Sequence, residues 1–568
     1  MSNNYRNNKG NGNPPGQTQQ NDISKDFYNP YAFVPLTNTV FLLDKKEKTM
    51  LSQDVPFKDG LSGTISIDFE SLTPFCVCER ERNANVGGKY FIPGTSVKGM
   101  IRNVFEIITM SNIRNCIADK RYSMRDLRNE AYELKAQNHP QKSGFLFKIN
   151  GKYYIQECSN EQYSYEDIKQ EEKGLWLKSY KSTKEKYDKL DEQYKRKYSY
   201  IIEYQDDSFA MWFFSGFMNN KKHEYLFNIP KEFNNLIPLK ENEFGDFIFI
   251  HEKENDNASW KFWKRKIKNY KSVEEIKADK YKGIVPCFFR THHDEKGEFC
   301  VKDLGFSFLY RQPYQKTIHD FLPSEYHQDG IDMAQAVFGY VKGHDALKGR
   351  VHFEHSFINN AKMEKAQTFI LGSPKPTYYP FYLEQNNPGK LNTYFSKDTC
   401  LSGYKRYLIQ PSFVEGNEKP SKVTKSFVPL SANTRFSSVI HFHNLRDYEL
   451  GALIAAITFC NKQTSCFHSL GIAKTFGYGK LRVKEYAVSL SIGEKSTDIC
   501  YKSFIGKMCN NLHFTSEKDY LNSISYLFEI AAGRYNPQKK IRYPKMKNKE
   551  FESIKNKKYS LKDFSPKK

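Results

Sequence analysis

An alternating segment that leads into an amphipathic helix restricts the fold of this chain more than any other feature. Leu61 to Glu70 (LSGTISIDFE) alternates apolar and polar residues, which predicts a half-buried strand. A loop and the turn Pro93-Gly94 follow. Four apolar residues then recur at helical spacing: Val97, Ile101, Val104 and Ile108. The pattern predicts a strand followed by a helix that buries this face.

The start of this helix is a candidate anion site. Thr95 or Ser96 can cap the free amides of the first turn. Lys98 and Arg102 lie four residues apart on a neighbouring face. A helix N-terminus favours an anion, and two cations add to that preference. A plain helix start explains the cap and the apolar stripe equally well, and basic residues are common throughout the chain.

Regular patterns return only after a long, charged stretch. Residues 115–330 include 178–197, which predicts a solvated helix, and 247–250, which predicts an aromatic strand. Later segments again fit helices and strands: a short helix from Met333 closed by Gly339, strands over 350–355 and 436–442, and a helix over 446–458. We therefore expect a core made of residues 25–114 and 331–536, interrupted by an insertion at 115–330.

Both ends of the chain are polar. Residues 1–24 contain Asn, Gly, Pro and Gln with almost nothing apolar, and they predict a disordered tail. Residues 537–568 are rich in Lys and predict a basic flexible tail.

The net charge indicates the class of partner. The chain carries a formal charge of +22 over 568 residues, and such a field attracts polyanions. No apolar run is long enough to span a bilayer, and the polar N-terminus is not a secretory signal. Nucleic acid is therefore favoured over membrane. A genome that overuses Lys and Asn would explain part of the charge.

The cysteines suggest the compartment. Eleven are scattered without a CxxC pair, and Cys76-x-Cys78 is too tight for the usual zinc knuckle. An odd number without a signal peptide predicts reduced thiols, a cytoplasmic protein and no bound metal.

A glycine-rich loop at 471–480 is the most informative local motif. Glycine allows close backbone approach to a ligand. Around it lie cations and aromatic rings, which suit a sugar-phosphate backbone with splayed bases. The residues concerned are Lys474, Phe476, Gly477, Tyr478, Gly479 and Lys480. A tight turn packed on the preceding helix would have the same sequence, and the Walker pattern is absent.

Together these motifs resemble the RAMP superfamily of CRISPR-associated proteins. Residues 93–102 look like its "IPG-[ST]-[ST]-[LIV]-KG-x-[LIM]-R" helix start, and 471–480 is similar to its C-terminal glycine-rich loop. Phe338-Gly339 with Gly349 to Phe353 resembles "LFG…GRV-x-F", and 436–452 resembles a late strand followed by "NL…ELGAL". Two further segments, 401–407 and 306–320, resemble one large type III branch.

The resemblance implies an α+β fold with a ferredoxin-like (RRM-like) β-α-β-β-α-β core. It also implies a guide (CRISPR) RNA-binding subunit of a type III interference complex in antiviral defence, which contacts target RNA and other subunits and needs no cofactor. We expect RNA contacts from thirteen residues: Arg80, Arg82, Thr95, Ser96, Lys98, Arg102, Arg350, Lys474, Phe476, Gly477, Tyr478, Gly479 and Lys480. Lys98, Arg102, Lys474 and Lys480 are expected to share one surface.

The loop before the helix departs from the family pattern. Family members that cut target RNA place an aspartate there, whereas residues 76–89 contain Glu79 and Glu81 but no Asp. We therefore predict no catalytic residue in this loop, and Arg80 and Arg82 suit RNA contact instead.

Two other functions stay open. A metal-independent endoribonuclease would need a histidine as general acid-base, and six are available: His292, His293, His352, His355, His441 and His443. A carboxylate metal site at Asp329 and Asp332 beside His327 is conceivable, although such residues before a helix more often form a cap. In the third possibility, the insertion docks a protein partner.

Overall fold

The chain folds into two compact units. The computed structural model describes residues 27–556, except 53, 80–81, 126–131, 133–140, 173–176, 217–220, 255–257, 373–375, 386–389, 422 and 546–548. The core unit comprises the described parts of Met1–Ile117, Leu322–Thr393 and Asp398–Lys568. The inserted unit comprises Ala118–Phe321 and Tyr394–Lys397. The predicted tail at 1–24 lies outside the described residues.

The core unit is built on a ferredoxin-like motif. Its six elements are β1 (Leu61–Ser71), α1 (Gly94–Ile108), β2 (Val351–Phe353), β3 (Arg435–Leu445), α2 (Asp447–Thr458) and β4 (Lys480–Ile492). The strands lie in the order β2-β3-β1-β4, every neighbouring pair is antiparallel, and His468–Ser469 extends the β4 edge. This β-α-β-β-α-β order confirms the α+β, ferredoxin-like core.

The two helices cover one face of the sheet. Ile65, Ile67 and Phe69 of β1 are buried, while Ser66 and Asp68 between them are exposed. The predicted apolar face of α1 (Val97, Ile101, Val104 and Ile108) is fully buried. Helix α2 is buried along nearly its whole length and packs against α1 and against the helix Thr497–Leu512. The sheet therefore has one covered face and one open face.

A buried ion pair connects β2 to α2. Arg350 immediately precedes β2 and donates to both carboxylate oxygens of Glu449 in the first turn of α2. The two side chains are 0% and 2% exposed. Arg350 also donates to the carbonyl oxygens of Ala336 (3.0 Å) and Asn444 (2.6 Å). Glu449 accepts from the backbone amide of Arg446 (2.8 Å) and so caps α2. The pair is therefore almost fully hydrogen-bonded.

Shorter elements complete the core unit. Its further helices are Lys45–Met50, Met333–Phe338, Tyr379–Tyr382, Thr497–Leu512, Glu517–Ser523, Ser525–Ala532 and Glu550–Asn556, with 3-10 turns at Ile113–Asn115, Ser324–His327 and Lys474–Phe476. Its further strands are Phe27–Tyr28, Tyr31–Val34, Cys78–Glu79, Arg82–Asn83, Asn85–Val86, Lys89–Ile92, Tyr340–Lys342, Asp345–Leu347, Ser356–Phe357, Gln367–Ile370, Tyr404–Tyr407, Thr424–Phe427 and Lys540–Ile541.

The inserted unit contains two sheets of its own. One contains Lys142–Ile149, Lys152–Cys158, Ile237–Leu239, Asn269–Tyr270, Val285–His293 and Phe299–Gly305. The other contains Asn160–Ser164, Ile201–Glu203, Phe209–Phe213 and His223–Ile229. Ser123–Met124 pairs with Gln312–Pro313. The helices are Tyr165–Glu171, Thr183–Tyr194, Glu241–Ile248, the π-helix Phe249–Glu254, Ala258–Lys264 and Val273–Ala278, with 3-10 turns at Leu177–Ser179 and His319–Phe321.

Three local predictions are wrong. Residues 247–250 lie in a helix rather than a strand, and Phe247 packs on Trp260. Helix α1 begins at Gly94 after Pro93, and no side chain caps it. The predicted flexible tail at 537–568 is in part structured, since Lys540–Ile541 pairs with Phe27–Tyr28 and Glu550–Asn556 is a helix in which Ile554 is buried. Within the described ranges, no helix has the length and apolarity needed to cross a bilayer.

The buried pair leads to a stability prediction. Glu449→Gln leaves the Arg350 guanidinium buried without its counter-charge, so we expect the core unit to lose about 3–5 kcal/mol. Hydrogen exchange of α2 amides measures the loss as a lower opening free energy. The control is Lys342→Gln, which removes an exposed pair with Asp329 (3.6 Å) and should change little. Equal protection in the Glu449→Gln and Lys342→Gln variants would contradict the role of the buried pair.

Candidate nucleic-acid interface

A cleft in the core unit brings three distant segments together. The first turns of α1, the strand Tyr404–Tyr407 and the start of the glycine-rich loop enclose a volume of about 440 Å³. Its lining residues are Val77, Ser96, Gly99, Met100, Asn103, Lys405, Arg406, Tyr407, Ser469, Leu470, Gly471 and Lys474. Three of these are cations and none is acidic. An anion is therefore the ligand that the charges of this cleft favour.

Arg406 is the most unusual of the three cations. It donates to the side-chain oxygen of Asn103 on α1 (2.6 Å), and its Nε finds no acceptor among the described residues. No carboxylate pairs with it in the described part of the chain. Burial lowers its pKa to about 10. Since a desolvated guanidinium is costly without an anion, this position is suited to a phosphate oxygen.

Lys405 lies in an aromatic enclosure beside Arg406. Its Nζ is 3.9 Å from the ring centroid of Tyr31 and 5.3 Å from that of Tyr382. It donates to the hydroxyl of Tyr382 (2.8 Å) and also faces Tyr407. Burial lowers the pKa of Lys405 to about 8, so its charge is lost at a lower pH than that of an ordinary lysine.

Lys474 brings the glycine-rich loop into the cleft. Its Nζ donates to the carbonyl oxygen of Gly471 and lies 5.7 Å from the ring centroid of Tyr407. Burial lowers its pKa. The loop is held close to its neighbours: a Cβ at Gly479, where φ is +78°, would lie 1.8 Å from the carbonyl oxygen of Leu470. Glycine is therefore required there for the loop to reach its position.

The structure does not place the four predicted basic residues on one surface. Only Lys474 lines the cleft. Lys98 and Arg102 flank the ring of Phe338, at 5.9 and 5.7 Å, and Arg102 pairs with Glu106 (2.7 Å). A helix turns about 100° per residue, so these two side chains lie on a different face of α1 from the cleft residues Ser96 and Asn103.

The other predicted residues divide into several environments. Ser96 lines the cleft, and Thr95 is exposed on the first turn of α1. Lys480 lies at the start of β4, with its Nζ 4.3 Å from the ring centroid of Phe467. Arg80 and the side chain of Arg82 lie outside the described residues.

Several predicted contacts are wrong because the side chains are buried. Arg350 is bound to Glu449 in the core and cannot reach RNA. Tyr478 is 2% exposed, so its ring cannot stack on a base. Phe476 is half-buried and stacks one face of its ring on Phe369 (4.3 Å), so its contact with RNA stays a prediction. Gly477 and Gly479 are buried and shape the loop.

The sequence analysis missed Lys405, Arg406 and Asn103. The first two lie in 401–407, a segment noted for its family resemblance but not assigned to the site. Because consecutive strand residues alternate faces, the sequence does not lead one to expect that both of them line the cleft. Asn103 lies one turn beyond the motif at 93–102, and its partner is 303 residues away.

The candidate enzymatic groups are dispersed or have structural roles. His352 and His441 face each other across β2 and β3 on the open sheet face, with ring centroids 6.3 Å apart, and His441 binds Glu354. Asp332 is a buried N-cap of Met333–Phe338, as the cap interpretation predicts. No three His, Cys, Asp or Glu side chains of the described residues converge on a possible metal position.

Nine cysteines of the described residues form no disulfide, namely Cys116, Cys158, Cys287, Cys300, Cys400, Cys460, Cys466, Cys500 and Cys509. Cys76, which is buried below the glycine-rich loop, is disulfide-bonded. The prediction that all the cysteines are reduced is therefore wrong at this position.

Comparison with known proteins identifies the family. The RAMP superfamily model matches residues 69–482, which include α1, β2, β3 and α2 together with the last three residues of β1 and the first three of β4. This chain belongs to the RAMP superfamily. It is thus a CRISPR-associated protein of the kind that forms CRISPR effector complexes.

Other comparisons add little. No curated protein matches. One matching structure is the crystal structure of Thermofilum pendens Csc2, with 11% sequence identity and a TM-score of 0.14. The alignment covers 39% of this chain and 58% of that one, and a similarity at this level carries no argument about the site.

The aromatic enclosure predicts an unusual lysine titration. Two lysine signals with pKa near 8 are expected, from Lys405 and from Lys221 in the inserted unit, where burial also lowers the pKa to about 8. Side-chain nitrogen NMR across pH 6–11 measures them. Lys405→Arg should remove one signal and Lys221→Arg the other. If Lys405→Arg leaves both signals in place, the enclosure does not hold Lys405 as described.

Proposed function

We propose that this protein binds guide RNA as a subunit of a type III CRISPR interference complex in the cytoplasm. The observation that carries the proposal is the cleft with Lys405, Arg406 and Lys474 and no acidic lining residue. Membership of the RAMP superfamily supports it, and the type III assignment follows from the resemblance of 401–407 and 306–320 to that branch.

The chemistry of the cleft suits a phosphodiester. Arg406 lines the cleft with a guanidinium that no carboxylate of the described residues neutralises, and guanidinium groups bind phosphate with strong, directional hydrogen bonds. Lys405 and Lys474 add positive charge from two sides, and the Ser96 hydroxyl can donate from α1. The partly exposed ring of Tyr407 is available for stacking of a base.

Contacts of this kind do not read sequence. Phosphate contacts position a nucleic acid and carry no base information, which is what a protein needs if it accepts guides of many sequences. We also propose target RNA and neighbouring subunits of the complex as partners, because the resemblance to the RAMP superfamily implies them. We assign no catalytic residue, because the loop at 76–89 lacks the aspartate of family members that cut RNA.

The test of this function compares variants of the cleft. Lys405→Gln combined with Lys474→Gln should weaken single-stranded RNA binding, and the slope of log K against log salt should shrink by about 1.4, since each lost phosphate contact removes ~0.7. Fluorescence anisotropy at several salt concentrations measures both quantities. The control is Lys502→Gln, an exposed lysine on Thr497–Leu512 that does not line the cleft. Equal affinities for the double variant and the control, at unchanged melting temperature, would refute the proposal.

The pKa of Lys405 predicts a pH dependence of RNA binding. With a pKa of about 8, the ammonium is about nine-tenths charged at pH 7 and about one-tenth charged at pH 9. The loss of charge as pH rises should weaken binding across this interval. Lys405→Arg keeps its charge and should flatten the profile. A wild-type profile as flat as that of Lys405→Arg would show that Lys405 does not contact the RNA.

A further inference from the structure

A second basic cluster lies on the open face of the core sheet. Glu70 of β1 lies between Arg435 of β3 and Arg482 of β4, directly opposite both in register. Its carboxylate accepts from Arg482 (2.7 Å) and from Arg435 (3.3 Å), and the Nζ of Lys484 is 4.0 Å away. Three cations therefore share one carboxylate.

The cluster has more positive charge than Glu70 can neutralise. Three cations against one carboxylate leave two positive charges in excess. The hydrogen bond from Arg482 and the neighbouring cations lower the pKa of Glu70, so it stays ionised at neutral pH. The basic side chains are accessible: Arg435 is 72% exposed, Arg482 40% and Lys484 42%. The donors that Glu70 does not engage can face a ligand, except the buried Nε of Arg482.

Lys480 extends the cluster along β4. It lies two residues before Arg482, on the same side of the strand, and the nearby charge of Arg482 adds to burial in lowering its pKa. In the other direction the next cross-strand row is Ser437, Asp68 and Glu485, which carries two carboxylates and ends the positive surface. We call Arg435, Lys480, Arg482 and Lys484 the sheet patch.

The sheet patch is separate from the cleft. None of its four residues lines the cleft. Glu70 alternates with Phe69, which faces the helix-covered side, so the patch lies on the opposite face of the sheet. The cleft includes residues of α1, which packs on the covered face. The two come nearest at the β4 edge, where Lys480 lies opposite the cleft residue Ser469, so a ligand that reaches both must pass around this edge of the sheet.

We propose that the sheet patch binds the phosphate backbone of a second segment of single-stranded nucleic acid. The strands that carry Arg435 and Arg482 flank β1, so their backbones are about 10 Å apart, and the two guanidinium groups converge on Glu70 from opposite sides. Together they present donors on both sides of Glu70 that suit phosphate oxygens. Glu70 orients both guanidinium groups, but its negative charge also opposes the binding of phosphate. This second site does not depend on RNA binding in the cleft.

The decisive test uses two substitutions with opposite expected effects. Arg435→Gln with Arg482→Gln removes two phosphate contacts and should weaken binding of a 30-nucleotide RNA, with a salt slope smaller by about 1.4. Glu70→Gln removes a negative charge while keeping all four cations, so it should strengthen binding severalfold. A purely structural cluster predicts that both changes lower the melting temperature and that neither changes affinity, which would overturn the proposal.

A second comparison separates this site from the cleft. In the Lys405→Gln, Lys474→Gln background, the patch substitutions should still weaken RNA binding by the same factor, and they should do so even if the cleft substitutions alone have no effect. Polyglutamate of matched charge serves as competitor. If it displaces the RNA from wild type but not from the Arg435→Gln, Arg482→Gln variant, the patch recognises acidic protein, and the nucleic-acid proposal fails.

Discussion

The core unit depends on one charged pair that is buried in its interior. A charge removed from water is tolerated only when its hydrogen bonds are replaced, and Arg350 and Glu449 replace almost all of each other's. Because the guanidinium of Arg350 donates through two nitrogens to both oxygens of Glu449, the pair fixes the orientation of the two side chains as well as the distance between them. Glu449 also caps α2, so the pair holds the start of that helix beside the start of β2. The hydrogen bonds of Arg350 to the carbonyls of Ala336 and Asn444 hold the end of β3 in the same place. The pair thus connects the edge strand β2 to the start of α2 and to the end of β3.

Patterns local in sequence predicted the framework well. The alternation of apolar residues in β1 correctly predicts its buried side, and the apolar face of α1 correctly predicts the side that packs on the sheet. The same reasoning failed at Arg350 and at residues 247–250. A buried arginine has no local signature, since its partner is 99 residues away. An aromatic run of four residues fits a strand and a helix equally well, and packing against Trp260 decides between them.

The candidate site was only partly predictable for a related reason. The glycine-rich loop and the start of α1 were identified, and both contribute to the cleft through Lys474 and Ser96. The strand that completes it, Tyr404–Tyr407, is positioned by pairing with Tyr31–Val34, a contact across more than 360 residues that no periodicity reveals. Cationic residues are frequent in this chain, so charge alone could not identify which of them converge. The absence of acidic neighbours distinguishes them, and this is a property of the folded structure.

The two ends of the inserted segment meet at a narrow junction in the core unit. Asn112, just before the segment, donates to the carbonyl of Tyr326, just after it, and Asn115 donates to Asp332. These hydrogen bonds join the two parts of the core unit at the point where the inserted segment begins and ends. Lengthening or shortening the intervening chain changes only a loop-closure entropy that grows with the logarithm of its length. These two hundred or so residues could therefore be enlarged, replaced or deleted while the core unit stays intact.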